Sequence, residues 1–173
     1  RRTGFEMTTD SIDLIVDLFD HGKNASGIEF HRRALHPMKP FSIKVSPFQA
    51  AVHRSIQADA ALVWDILTDT RRWPEWGPSV MAVDHEGAHI HASSAGRVQI
   101  PLGIWLFFRV TRFQPGRYWS WRVSGIPATG HRVERGNPGE CVLSFEVPVV
   151  AAPYLAVCKE AARRIARIAE QGG

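Results

Sequence analysis

The sequence predicts an α+β domain in which an antiparallel β-sheet is covered on its apolar face by a long C-terminal helix. Three observations predict it. After Ala95 the chain becomes a succession of runs rich in Val, Ile, Phe and Trp. Two Pro-Gly turns, Gln114-Pro115-Gly116-Arg117 and Asn137-Pro138-Gly139-Glu140, separate such runs. In each, proline presets the φ of the second position and glycine takes the positive φ of the third, and turns this short join only antiparallel neighbours. Finally, Tyr154, Leu155, Cys158, Ala161, Ala162, Ile165 and Ile168 recur at helical spacing along a segment that runs from Pro153 to Gln171.

The elements follow in order. Residues 1–37 read as an appendage: Asp10 caps a short helix carrying Ile12, Ile15, Val16 and Phe19, His21-Gly22 ends it, and no period follows before Pro37. Residues 38–173 read as the domain proper. Ala50 to Ile56 is β-prone, and Asp59 is placed to cap a helix whose face is Ala60, Val63, Trp64 and Leu67. Trp73-Pro74-Glu75-Trp76-Gly77-Pro78 is a proline-punctuated turn or short helix. Val80–Val83 is the next strand, and 84–94 a strand end with a loop. The meander comprises Arg97–Ile100, Ile104–Phe113, Arg117–Ser124, His131–Arg135 and Cys141–Val147. Pro153 stands where a first helical turn tolerates proline, and some twenty helical residues span about 30 Å, enough to cross a curved sheet.

Composition narrows the function classes. A chain of 173 residues, 45% hydrophobic, buries roughly 70% of its unfolded surface and holds a core without staples. The net charge of +4 is mild: residues 1–37 carry −1 and the rest +5. No basic stripe marks a nucleic-acid binder. Cys141 and Cys158 have neither metal nor redox spacing and read as small buried apolar residues, so a reducing, cytoplasmic setting is expected. No apolar run reaches the ~18 residues of a membrane span, so no integral membrane association is expected.

Several short motifs then occur in a recognisable order: Ala58-Asp59-Ala60-Ala61-Leu62-Val63-Trp64-Asp65-Ile66-Leu67-Thr68-Asp69, Trp73-Pro74-Glu75-Trp76, Val110-Thr111-Arg112-Phe113-Gln114-Pro115-Gly116-Arg117, Ser120-Trp121-Arg122 and His131-Arg132-Val133-Glu134. With these the chain, over about Gln49–Gln171, resembles the START-like (Bet v 1-like, or SRPBCC) superfamily in its polyketide cyclase/dehydrase-type branch. The resemblance implies a helix-grip fold, with a curved antiparallel sheet wrapped around the C-terminal helix, two short helices after the first strand, and an apolar cavity between sheet and helix. The scaffold by itself serves transport, sensing and catalysis alike.

Candidate cavity residues are Trp76, Trp105, Phe107, Trp119, Trp121, His131 and Phe145. Period-two alternation puts Trp119, Trp121 and Val123 on one strand face. On the preceding strand both Ile104/Leu106/Phe108/Val110 and Trp105/Phe107/Phe113 are apolar, so either set qualifies. Each ring is more often plain core than ligand contact. Trp76, leaving a helical turn near the expected cavity mouth, is the leading ligand contact. His131 is suited to hydrogen-bond a ligand carbonyl or to move a proton near neutral pH, although an internally satisfied histidine is the commoner outcome. His85, Glu86, His89 and His91 lie near one another but lack a third ligand at firm spacing, so no metal is expected. The basic residues of the last helix read as a solvated face.

No G-x-S-x-G elbow, H-E-x-x-H, P-loop or G-x-G-x-x-G occurs, and no catalytic residue or cofactor is assigned. The first reading is a non-covalent binder of a small hydrophobic molecule, lipid-like or polyketide-like. The second is a polyketide cyclase or dehydratase using cavity groups such as His131 or Arg122, and the third a protein-interaction module.

Overall fold

The computed structural model describes residues 41–172, so the helix expected within 1–37 lies outside the described residues. Eight strands form one antiparallel sheet: β1 (Ser42–Val45), β2 (Gln49–Ile56), β3 (Ala82–His85), β4 (Ala95–Gln99), β5 (Trp105–Gln114), β6 (Tyr118–Val123), β7 (Ile126–Arg135) and β8 (Cys141–Pro148). Their order is β1-β2-β8-β7-β6-β5-β4-β3. Helix α1 (Ala60–Thr68) and the single turn α2 (Trp73–Trp76) sit between β2 and β3, and α3 (Leu155–Gln171) closes the chain. This is the helix-grip α+β architecture.

Both Pro-Gly turns form as their sequences require. Gly116 and Gly139 have φ of 71° and 74°, and Arg117 and Glu140 donate their backbone N–H to Gln114 and Asn137 at 3.1 and 2.9 Å. β1 has no counterpart in the sequence reading; it pairs with β2 alone and forms an edge. β7 begins five residues before His131, because the chain turns tightly at Ser124-Gly125, whose φ values are 48° and 80°. Proline at 127 disguised that start. β3 starts two residues later than expected.

Alternation along β2 turns Ala50, Val52, Arg54 and Ile56 inward, and α3 lays Leu155, Cys158, Ala161, Ala162, Ile165, Ala166 and Ala169 into the same core. The small residues of α3 let the helix approach the sheet closely. Asp59 occupies the cap position of α1 in extended geometry, but its side chain makes no capping bond. At the other end, the Asp69 carboxylate accepts from the Arg71 N–H at 3.1 Å and from its guanidinium at 2.9 and 2.7 Å. Those bonds hold Asp69 below the usual carboxylate range and set the turn into α2. Trp73 and Trp76, three apart and hence on one side of that turn, donate their indole N–H to Leu67 O at 3.0 Å and Ile66 O at 3.1 Å. They thereby satisfy carbonyls that the end of α1 leaves without helical partners.

Candidate functional site

Between α2, the start of α3 and the inner sheet face lies a cavity lined by Trp73, Trp76, Trp119, Trp121, Thr129, His131, Phe145, Tyr154, Val157, Cys158 and Ala161, with Gly77–Val80 at its rim. Its volume is about 40 Å³, room for about three water-sized spheres at roughly 10–15 Å³ each. Its walls are mostly rings. Trp119 stacks on Trp73 with centroids 5.5 Å apart and 5° between planes, and on His131 at 3.7 Å and 10°. Phe145 meets the His131 ring edge-on at 5.0 Å.

The register explains the assembly. Trp119 pairs with His131, and His131 with Phe145, so three neighbouring strands present their rings in one row. Trp121 joins the row through a bulge near Ser120 and Arg122. Its Nε1 donates to Thr129 Oγ1 at 3.0 Å, and Thr129 Oγ1 lies 3.2 Å from His131 Nε2.

His131 is buried, and burial pushes its pKa down to about 3, opposed in small part by the Trp119 backbone. Apart from the weak backbone hydrogen bond to Trp119 that opposes this lowering, His131 Nδ1 meets no partner, and Trp119 Nε1 meets none. Native interiors leave few polar atoms unpaired, yet these two sit on adjacent, stacked rings that line the same cavity. Across the mouth, Ser79 Oγ and Tyr154 Oη share a hydrogen bond of 2.6 Å. It ties the loop after α2 to the turn that precedes α3.

The structure therefore brings together Trp76, Trp119, Trp121, His131 and Phe145, and leaves out Trp105 and Phe107. On β5 the inward residues are Phe108 and Val110, while Trp105 and Phe107 are 41% and 72% exposed on the outer face. Both alternating sets are apolar, so period alone did not choose between them. Arg122 is also exposed, and its guanidinium reaches Gly125 O at 3.4 Å on the outside of the sheet. The histidines of 85–91 do not share a strand face. His85 contacts Ser94 and the Gly87 carbonyl, His89 reaches Asp65, and His91 reaches Ser93. Among the described residues no group of three or more His, Cys, Asp or Glu is arranged to hold a metal ion. Cys141 and Cys158 are buried, and burial raises them to about 11 and about 12.

Thr129, Ser79, Tyr154 and Trp73 are cavity residues that the sequence reading passed over. Thr129 stands two residues before His131 and shares its face, a signal hidden by starting the strand at His131. Tyr154 was absorbed into the apolar stripe of the helix.

A family model described as polyketide cyclase / dehydrase and lipid transport matches residues 47–172. No curated protein matches the sequence. Among solved structures, a START superfamily protein from Mycobacterium smegmatis superposes with a TM-score of 0.58 at 11% identity, over 73% of this chain and 99% of its own. A Rhodobacter sphaeroides protein gives 0.56 at 19% identity, over 75% and 97%. DynU16, a protein of the dynemicin biosynthetic locus, gives 0.55 at 21% identity, over 72% of this chain and 48% of its own. These likenesses establish the START-like fold. With nearly three-quarters of its length matched to one family, the chain belongs to the polyketide cyclase/dehydrase and lipid transport family.

Proposed function

We propose that the protein binds a small, largely apolar molecule carrying a carbonyl-type oxygen in the cavity beneath α3. The observation that supports this is the pair of nitrogens, His131 Nδ1 and Trp119 Nε1, that lack a side-chain partner on the stacked rings of a mostly aromatic cavity. Trp119 Nε1 is a donor by its chemistry. Trp121 donates to Thr129 Oγ1, and with the threonine hydroxyl hydrogen turned to His131 Nε2 the proton of the neutral imidazole resides on Nδ1, which makes that nitrogen a second donor. Two N–H groups on stacked rings call for an acceptor oxygen, and the surrounding rings call for an apolar body. A ligand larger than a few atoms enters by releasing the Ser79–Tyr154 bond and displacing α2.

Binding is favoured over acid–base turnover, because a general base works best near the ambient pH and His131 is held far below it. No carboxylate lines the cavity. The smallness of the cavity supports a second reading, a protein-interaction module with a filled interior.

The test is binding of N-phenylnaphthylamine, followed by fluorescence, together with native mass spectrometry of protein purified from its own host. The expected result is saturable dye binding that Val157→Phe abolishes by filling the cavity and that the surface variant Leu102→Asn retains. Dye binding unaffected by Val157→Phe, with no retained small molecule in the native spectrum, overturns the cavity reading and leaves the interaction module.

A further inference from the structure

Eleven large apolar side chains are exposed among the described residues: Ile43, Val45, Phe48, Met81, Leu102, Ile104, Trp105, Phe107, Ile126, Val150 and Tyr154. The strand register puts most of them at one end of the sheet. Val45 and Phe48 flank the β1–β2 turn, and Val150 follows β8, whose last residue pairs with the first of β2. Ile126 pairs with Val123 at the β6–β7 turn. Leu102 and Ile104 form the β4–β5 connection, Trp105 pairs with Gln99, and Met81 donates to Gln99 O at 2.7 Å. The connections at the other end, residues 57–59, 86–94, 115–117 and 136–140, carry no exposed large apolar side chain.

The cavity mouth belongs to the apolar end: Val80 and Tyr154 line the cavity, and Met81 follows Val80. At the tips, Leu102, Phe48 and Val150 are 96%, 86% and 90% exposed. Leu102 moreover has a φ of 72°, a conformation that glycine or asparagine adopts at less cost. A leucine there serves neither the turn nor the core.

Charge identifies what covers these tips. On the outer face of β5, Trp105, Phe107 and Arg109 alternate away from the tip, and Arg109 stands directly opposite Arg122 on β6. Neither arginine is joined to a carboxylate among the described residues. Like charges directly opposite are unfavourable within a sheet, so the pair has its use outside it. An isologous contact with a second copy brings such a patch against its own equivalent, which adds to the repulsion. An anionic surface relieves it. With a rise of about 3.4 Å per residue, Arg109 lies about 7 Å behind Phe107 along the strand, the distance from a shallowly inserted apolar side chain to the headgroup level.

From this we infer that the apolar end of the sheet docks on an anionic lipid surface, with Leu102, Ile104, Phe107 and Ile126 inserted among the acyl chains and Arg109 and Arg122 at the lipid phosphates. The docking is peripheral, and it needs no ligand in the cavity.

Co-sedimentation of the full chain with vesicles of equal parts phosphatidylcholine and phosphatidylglycerol tests it, with pure phosphatidylcholine vesicles as the reference. Salt-sensitive binding to the anionic vesicles is expected, weakened about fivefold by Arg109→Gln. Leu102→Asn is expected to weaken it about tenfold while leaving the melting temperature unchanged or raised, because asparagine tolerates the left-handed conformation. Three results overturn the inference: no binding to anionic vesicles, equal binding by Leu102→Asn and the unsubstituted chain, or a solution dimer that Leu102→Asn dissociates in the absence of vesicle binding. A protein that docks but fails the dye test with Val157→Phe has lost the cavity reading alone.

Discussion

The interior differs from one region of the sheet to the next. Where β2 finishes and β8 begins, the core is aliphatic: Ile56, Val63, Ile66, Leu67, Cys141, Leu143 and Ile165 are wholly buried. Across the middle of the sheet, where Trp119, His131 and Phe145 pair on three strands, it is aromatic, built from Trp73, Trp76, Trp119, Trp121, His131 and Phe145 around the cavity. Branched aliphatic side chains interlock from all directions, whereas flat rings on three strands and a one-turn helix stack in a row and leave a gap at its edge. The aromatic region carries unpaired nitrogens, a residual space and a hydrogen-bonded mouth, features that cost stability and suit binding.

The contrast is open to attack by mutation. Leu143→Ala, in the aliphatic region, is expected to lower unfolding stability by about 2–5 kcal/mol in chemical denaturation. A loss well under that range means that the aliphatic region is not close-packed. Acid provides the next largest effect, in the aromatic region. His131 has a pKa of about 3 when folded against 6.5 ordinarily, so the unfolded chain binds more protons between those values. The stabilising preference for neutral imidazole is fully present above pH 6.5 and is lost as pH falls toward 3, by up to about 1.4 kcal/mol per pH unit. Denaturation midpoints measured across that window in the unsubstituted chain and in His131→Phe are expected to diverge, with the variant showing the shallower dependence; parallel curves break the assignment. The smallest effect is at the mouth. Tyr154→Phe removes the bond to Ser79 and is expected to reduce stability by no more than about 1 kcal/mol, while N-phenylnaphthylamine enters faster in stopped-flow fluorescence. Unchanged entry kinetics mean that the bond does not hold the mouth.

How much of this was legible beforehand varies from residue to residue. The Pro-Gly turns were legible because φ preference is a property of single residues, and α3 because its apolar spacing suits only a helix. Trp119, Trp121 and Val123 were assigned to the inner face of β6 because its other face holds Ser120 and Arg122. On β5 the same rule had no purchase, since both faces are apolar. Trp105 and Phe107 accordingly fell on the wrong side of it. Their outward position, with Leu102 and Ile126 nearby, is what gives the sheet its apolar end.

Residue order alone determined the fold class, the antiparallel meander, the covering helix and the family, because turn chemistry, periodicity and ordered motifs are all local. The stacking of Trp119 on His131, the contraction of the cavity to a few waters' volume, and the collection of most of the exposed apolar side chains at one sheet end were decided only by tertiary structure. Each depends on strand register and on how rings from distant segments meet, and a shift of one residue in a single strand turns every one of its side chains to the opposite face.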